Sequence, residues 1–278
     1  MEFEGEYLKG KKWTGKSYDE YGNAIYEIKD GFGLLKELEY EGEYLNGERH
    51  GKGKEYYFDI LQYEGEFLNG KRNGKGREFW EDGTLTFEGE YLNGKRNGKG
   101  KEFWRGKLVF EGEYSDGIRN GKGKEYFKNG KIQFEGEFKK GKKLNGKAYD
   151  INGNLDYELI NGSGKMKIYN DNDELIEEGE YLNNIKHGKV KEYDIDIDGQ
   201  LEFEGNYLYG SRNGFGKEYE NGNLVSEGEY LGNKKFGKGK EYNNNGQVIY
   251  EGDYVNNQRL VKKIPIKEGK LDIDFRFL

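Results

Sequence analysis

The segment FEGEYLNGKRNGKGKEFW (87–104) decides the fold of this chain. Phe87, Gly89 and Tyr91 alternate with glutamate and leucine, which is the two-residue periodicity of a β-strand. A turn-rich stretch, NGKRNG (93–98), follows, and GKGKEFW resumes the alternation as a second strand. The segment therefore predicts one β-hairpin.

This hairpin recurs along the whole chain. A Glu-Gly-Glu triplet, or a variant ending in Asn or Asp, occurs ten times, mostly 23 or 24 residues apart. Two longer gaps each contain a shortened unit, at Ile28 and Leu159, so twelve units tile the chain. Dipeptides such as Asp82-Gly83 predict tight turns between hairpins, and hence one antiparallel meander. The triplets centre on Gly5, Gly42, Gly65, Gly89, Gly112, Gly136, Gly179, Gly205, Gly228 and Gly252.

The repeats define the predicted domain organisation. Residues 1–254 form the repeat array, and the similarity of 11–33 to 142–164 indicates two related halves, about 1–131 and 132–254. Contacts in such an array are between neighbouring repeats.

Aromatic residues flank the triplet glycine on the same face in eight of the ten regular units. Phe110 and Tyr114, on either side of Gly112, are an example. A strand glycine often marks the close approach of another group. We expect a ring from the neighbouring strand to lie flat on the glycine backbone, so that the rings stack into one continuous spine. On the opposite face, we expect strand glutamates to pair with lysines of the adjacent strand, such as Glu88 or Glu90 with Lys99 or Lys101.

Composition excludes several classes of protein. The 278 residues include 46 Gly, one Pro, two His and no Cys, which excludes collagen, a disulfide framework and thiol chemistry. The net charge of −7 argues against a nucleic-acid partner. No convergent acid–base or metal-ligand set is evident. We therefore expect no enzymatic activity, no cofactor and no metal.

The segment YEGEYLNGERHGKGKEY (40–56) resembles the MORN repeat, with its Y-x-G-E-aromatic strand, its G-x-x-x-G turn and its G-x-G second strand. Ten copies in register carry this resemblance. Ser17, Ala148 and Val190 depart from it by replacing the second glycine of G-x-G. The resemblance implies an all-β fold: an elongated, twisted, single-layer array of antiparallel hairpins. It also implies scaffolding roles, frequent dimerisation and, in some members, phosphoinositide binding.

One candidate binding surface is the line of rings downstream of each triplet glycine. If part of this face is a groove, a partner helix or extended peptide could be anchored there by ring contacts. The alternative is that these rings only pack on one another. The candidate residues are Tyr44, Phe67, Tyr91, Tyr114, Phe138, Tyr181, Tyr207, Tyr230 and Tyr254.

A second candidate surface is basic. Pairs of cations recur at the same place in several units and are expected to line one long edge of the sheet, where an anionic partner such as a lipid headgroup or acidic protein tail could bind. The alternative is that they balance the glutamate-rich strands. The candidate residues are Lys71, Arg72, Lys95, Arg96, Lys142, Lys143, Lys234 and Lys235.

The C-terminal segment, 255–278, departs from the repeat. Within it KLDIDFRFL (270–278) alternates apolar and charged residues and predicts a terminal strand. Such a strand either caps the array or pairs with a second copy of the chain, because an open apolar edge invites pairing.

Function follows only in outline. We expect a non-catalytic scaffold that binds a protein or peptide along the aromatic groove. Two alternatives stay open: a peripheral membrane adaptor that binds anionic lipid through its basic turns, and an antitoxin-like partner that neutralises a toxin or enzyme. We expect a cytoplasmic location, with membrane or cytoskeletal association as further options.

Overall fold

The computed structural model describes residues 3–36, 39–196, 199–262 and 275–277. These residues form 25 strands in two antiparallel sheets, and no helix occurs among them. The first sheet contains β1 Phe3–Leu8, β2 Lys11–Tyr18, β3 Ala24–Lys29, β4 Phe32–Lys36, β5 Tyr40–Leu45, β6 Glu48–Tyr57, β7 Ile60–Leu68, β8 Lys71–Phe79, β9 Leu85–Leu92, β10 Lys95–Trp104, β11 Lys107–Ser115, β12 Ile118–Tyr126, β13 Ile132–Lys139, β14 Lys142–Tyr149 and β15 Leu155–Leu159.

The second sheet has the same meander topology, each strand pairing with the next along the chain. It contains β16 Gly164–Tyr169, β17 Leu175–Leu182, β18 Ile185–Asp194, β19 Gln200–Leu208, β20 Ser211–Glu220, β21 Asn223–Leu231, β22 Lys234–Tyr242, β23 Val248–Val255, β24 Gln258–Lys262 and β25 Phe275–Phe277. The predicted single-layer array of hairpins is therefore confirmed. The chain consists of two compact units, Met1–Asp156 and Tyr157–Leu278, which we call the first and second compact units to distinguish them from the repeat units.

The hairpin turns are shorter than the sequence suggests. Asn93 and Gly94 have φ values of 51° and 87°, as a two-residue type I′ turn requires, and β10 begins at the next residue. The second half of NGKRNG is instead a β-bulge inside β10, where the register with β9 shifts between Arg96 and Gly100. Each turn also bonds to the preceding unit: the Gly94 amide donates to the Arg72 carbonyl at 2.8 Å.

The core of each sheet is a row of glycines covered by rings. Gly89, Gly100 and Gly112 lie in register on adjacent strands. The fully buried ring of Phe87 lies over Gly89 of its own strand and Gly100 of the next. For the triplet glycine, Gly89, the ring thus comes from the same strand and not from the neighbouring strand as expected, whereas Gly100 is covered by a ring from the neighbouring strand.

The rings form a continuous row, but they meet edge to face. Phe87 contacts Tyr91 and Tyr114 with ring centroids 5.6 and 5.2 Å apart, at interplanar angles of 87° and 86°. This T-shaped arrangement is favoured over face-to-face stacking because the ring quadrupoles attract edge to face. The predicted spine is present as an unbroken run of ring contacts from Tyr40 to Phe138, and its rings meet edge to face where stacking was expected.

Irregular units fill the same space with aliphatic side chains. Ile28 and Leu159, predicted from spacing alone to replace the glycine of the shortened units, are 0% and 2% exposed. Val190 replaces a glycine in β18 and is 2% exposed, in register with Gly179 and Gly205.

The C-terminal segment adds strands to the end of the second sheet. In β24, Gln258 pairs with Val255, and β25 pairs antiparallel with β24. The other residues of the predicted terminal strand (270–274 and 278) lie outside the described residues. The choice between a cap and a dimer contact stays a prediction.

Candidate functional site

The nine candidate groove rings lie in the core of the two sheets. Their exposed fractions are only 3% to 9%. Tyr91 and Tyr114 donate their hydroxyls to Glu78 and Glu102, at 2.9 and 2.7 Å. Burial raises the pKa of both phenols, and the neighbouring carboxylates raise it further. The ring face therefore offers few open aromatic surfaces to a partner.

A ladder of ion pairs covers these rings. The Arg96 guanidinium lies 4.1 Å from the centroid of the Phe87 ring and pairs with both Glu78 and Glu102. Arg119 continues the ladder, pairing with Glu102 and with Glu125 at 2.8 Å. In the first compact unit the ladder consists of Arg49, Glu55, Arg72, Glu78, Arg96, Glu102, Arg119, Glu125 and Lys143, in this order.

One ladder carboxylate, Glu102, is stabilised in its charged form. Burial alone would raise the pKa of Glu102, but hydrogen bonds and charge from Arg119, with the Tyr114 hydroxyl, outweigh it and lower the pKa below its usual value. Each arginine is thus held by a ring beneath it and carboxylates beside it.

The eight candidate edge cations fall into two groups of four. Arg72, Arg96, Lys143 and Lys235 belong to the ring face, where their side chains pair with ladder glutamates. The exposed group, which we call the edge lysines, stands at the start of the strand after each type I′ turn. It comprises Lys71, Lys95, Lys142 and Lys234.

The first compact unit has a long groove on the face opposite the rings. Its floor is the backbone of the glycine row, and its two walls are the side chains on either side of each glycine, such as Glu88 and Glu90 around Gly89. Its glycine floor runs across the strands from β5 to β14, Tyr26 and Leu34 line one end, and the volume is about 1460 Å³. Ten strands at ~4.8 Å give a length of roughly 43 Å. Glycine methylenes and the aliphatic stems of the charged side chains make most of its surface apolar.

Charge alternates along this groove. Strands with glutamate on both walls, such as Glu88 and Glu90 on β9, alternate with strands that carry lysine, such as Lys99 and Lys101 on β10. The predicted pairing of Glu88 with Lys101 is confirmed, at 3.6 Å.

The open groove lies on the face opposite the candidate rings. Both faces carry a regular row of side chains, but only the structure shows that rings and guanidinium groups fill the space on one of them. A usable signal was the pattern charged-Gly-charged in every strand: the glycines that admit the rings leave the charged rows alone on the other face.

In the part of the chain that the structure describes, no three His, Cys, Asp or Glu side chains gather closely enough to hold a metal ion. Among these same residues, no helix is long and apolar enough to cross a membrane.

These features define a single-layer hairpin-repeat protein. The MORN repeat model matches residues 40–59, 63–85, 87–107, 110–132, 178–189 and 203–224, and the MORN repeat variant matches 163–183 and 237–256. The chain belongs to the MORN-repeat family. MORN repeats are generally non-catalytic modules that interact with proteins or membranes.

Likeness to other proteins is weak. No curated protein sequence matches the chain. Among solved structures, the Tc holotoxin pore of Photorhabdus luminescens is similar at 12% identity and a TM-score of 0.21, over 86% of this chain and 16% of that one. A porin-like protein from Bacteroides uniformis is similar at 13% identity and a TM-score of 0.18, over 65% of this chain and 86% of that one.

Proposed function

We propose that this chain is a non-catalytic protein-interaction module that holds an extended segment of a partner protein in the groove of its first compact unit. The observation that carries the proposal is the groove itself, which crosses ten strands on a floor without side chains. Its volume of about 1460 Å³ exceeds the ~300–1,000 Å³ of a small-molecule pocket. A polymer fits such a site better than a metabolite does.

The width of the groove selects the conformation of the partner. Its walls stand two residues apart on each strand, a separation of about 6.6–6.8 Å. An α-helix with side chains is about 10–12 Å across, so it cannot reach the floor. An extended chain can, because its backbone is narrower and its side chains can point up and out of the groove.

The walls supply the polar contacts that the floor lacks. The floor strands pair with neighbours on both sides, so their amides and carbonyls are engaged. Wall carboxylates can accept hydrogen bonds from the amides of a bound chain, and wall ammonium groups can donate to its carbonyls. The buried candidate rings then support the floor and do not themselves contact the partner.

A unique chemical label tests this proposal, because the chain has no cysteine of its own. Lys99→Cys introduces one thiol in the groove wall, and Lys71→Cys introduces a matched thiol among the edge lysines. Peptides selected from a displayed library on the unlabelled chain are then titrated against both variants, each carrying a bulky maleimide adduct.

We expect the adduct at position 99 to weaken binding of the selected peptides at least tenfold, which is about 1.4 kcal/mol, and the adduct at position 71 to leave it unchanged. Peptides blocked only by the adduct at position 71, or by neither adduct, would overturn the proposal. If only the adduct at position 71 blocks binding, the edge lysines are the binding surface, and the alternative of anionic lipid binding through them is favoured.

A further inference from the structure

One wall of the groove contains a row of lysines without carboxylate partners. The row, here called the lysine row, consists of Lys52, Lys75, Lys99 and Lys122, all exposed. In the described part of the chain, none of these four ammonium groups has a carboxylate within ion-pair distance. The other wall differs: there Arg77 pairs with Glu64, and Lys101 pairs with Glu88 at 3.6 Å.

The β-bulge explains why this wall is unpaired. Lys75 lies in register with Glu90 of β9, but the Glu90 carboxylate turns to the bulge glycine of the next strand, Gly98. At the equivalent place one unit further on, the carboxylate of Glu113 accepts the backbone amide of Lys122 at 3.1 Å. Glu43 likewise accepts the amide of Lys52, at 3.1 Å. These two carboxylates bond to backbone and not to the lysine ammonium groups, which face the groove without an ion-pair partner among the described residues.

The spacing of the lysine row is set by the sheet. Its members stand on every second strand, from β6 to β12, so they are ~9.6 Å apart. Three residues of an extended chain span about 9.6–10.2 Å, and one turn of polyproline II spans about 9.3 Å. A peptide in the polyproline II conformation therefore brings every third side chain to the same wall, because this helix has three residues per turn, whereas the side chains of a β-strand alternate between two faces.

We infer that the partner is an acidic peptide segment with Asp or Glu at every third position, and that these carboxylates form ion pairs with the lysine row. This inference rests on the proposed function, since it names the chemistry of the chain that the groove would hold. A lipid surface has no such period, and a groove about 7 Å wide admits single chains only.

The test measures the binding of three fluorescent peptides to the full chain by anisotropy, and the first two are isomers of identical composition. One has four glutamates at every third position, the other has them at every second position, and a third peptide replaces them with glutamine. The protein variants are Lys75→Glu with Lys99→Glu in the groove, and Lys71→Glu with Lys95→Glu among the edge lysines. Circular dichroism confirms that each variant folds.

We expect the period-three peptide to bind about tenfold more tightly than its isomer, and to lose this advantage only in the groove variant. Equal binding of the two isomers, or equal weakening by the two variants, would overturn the inference, since either result indicates unspecific attraction. Binding of phosphatidylserine vesicles in place of any peptide would overturn it as well.

Failure of the inference and failure of the proposed function give different results. If the glutamine peptide binds as tightly as the period-three peptide and the adduct at position 99 blocks both, the groove binds peptides but does not distinguish charged from neutral side chains. If the adduct at position 99 blocks neither peptide, the groove is not the docking surface.

Discussion

At the scale of the residue, glycine and arginine together bury the aromatic rings, one on each side of the ring. A single-layer sheet has no second layer to cover its rings. Here each upstream ring lies on glycine backbone, and in six units an arginine covers its other side, 3.8–4.8 Å from the centroid. The glycine admits the ring, and the guanidinium covers it while keeping its own polar edge paired.

The glycine row leads to the first prediction. A Cβ at Gly112 would lie 2.7 Å from the Cα of Gly123 and 2.7 Å from the Phe110 ring, so Gly112→Val forces strand and ring apart. We expect a loss of about 3 kcal/mol or more in the free energy of unfolding, measured by urea titration. Gly117→Asn is the matched control, because Gly117 is a turn residue with open space and asparagine tolerates its φ of 87°. Unchanged unfolding of the valine variant would refute ring-on-glycine packing.

The ladder carboxylates lead to a prediction about pH. The pKa of Glu102 is lowered in the fold, so its charge stabilises the folded chain above the usual value of 4.5, and that stabilisation is lost as the pH falls through the folded pKa. We expect the free energy of unfolding to decline as the pH drops below about 4.5.

Glu102→Gln isolates this effect. It removes the charge between Arg96 and Arg119, and we expect it to cost about 1–3 kcal/mol at pH 7 and much less at pH 3. Chemical denaturation at both pH values measures the difference. A cost that does not depend on pH would show that the carboxylate acts by shape alone.

At the scale of the element, one irregular hairpin shows how the repeat tolerates change. In β17 the upstream ring is replaced by Glu177, and in β18 the glycine is replaced by Val190. A Cβ at Gly179 would lie 2.8 Å from a Val190 methyl group, so the valine fills the space that a ring fills elsewhere. Two departures from the repeat thus compensate each other across neighbouring strands.

A double-mutant cycle tests this compensation. Val190→Gly alone removes a buried side chain and adds a flexible strand residue, and we expect it to cost about 2–3 kcal/mol. Glu177→Phe alone forces a ring against the valine and also destabilises. Together the two changes restore the regular unit, so we expect the double variant to recover at least about half of the summed loss in a urea titration. Simple additivity would argue against a shared space.

At the scale of the whole molecule, every strand pair among the described residues joins consecutive strands. The order β1 to β15 in the first sheet and β16 to β25 in the second contains no crossover. Stability is then a sum over neighbouring hairpins, and local damage propagates only a short distance.

Hydrogen exchange read by mass spectrometry tests this locality. In the Gly112→Val variant we expect faster amide exchange in β10 to β13 and unchanged exchange in β19 to β23. Loss of protection in both regions would mean that the array unfolds as one cooperative unit.

Much of the fold follows from the sequence alone, because the strand period is local. The alternation around Gly89, the constant repeat length and the turn dipeptides predict the hairpins, their order and the family. Even the shortened units at Ile28 and Leu159 are located by counting, since each residue must take its place in the same glycine row.

The tertiary structure alone decides which face is filled and which is open. Alternation places Arg96 and Tyr91 on one face and Glu90 and Lys99 on the other, but it does not say which side chains pair. That choice depends on the bulge at Gly98, which turns the Glu90 carboxylate toward backbone and away from lysine. Contacts between residues on different strands, such as Tyr91 with Glu78 and Phe87 with Tyr114, bury the predicted groove rings and leave a different groove, floored by glycine, open to a partner.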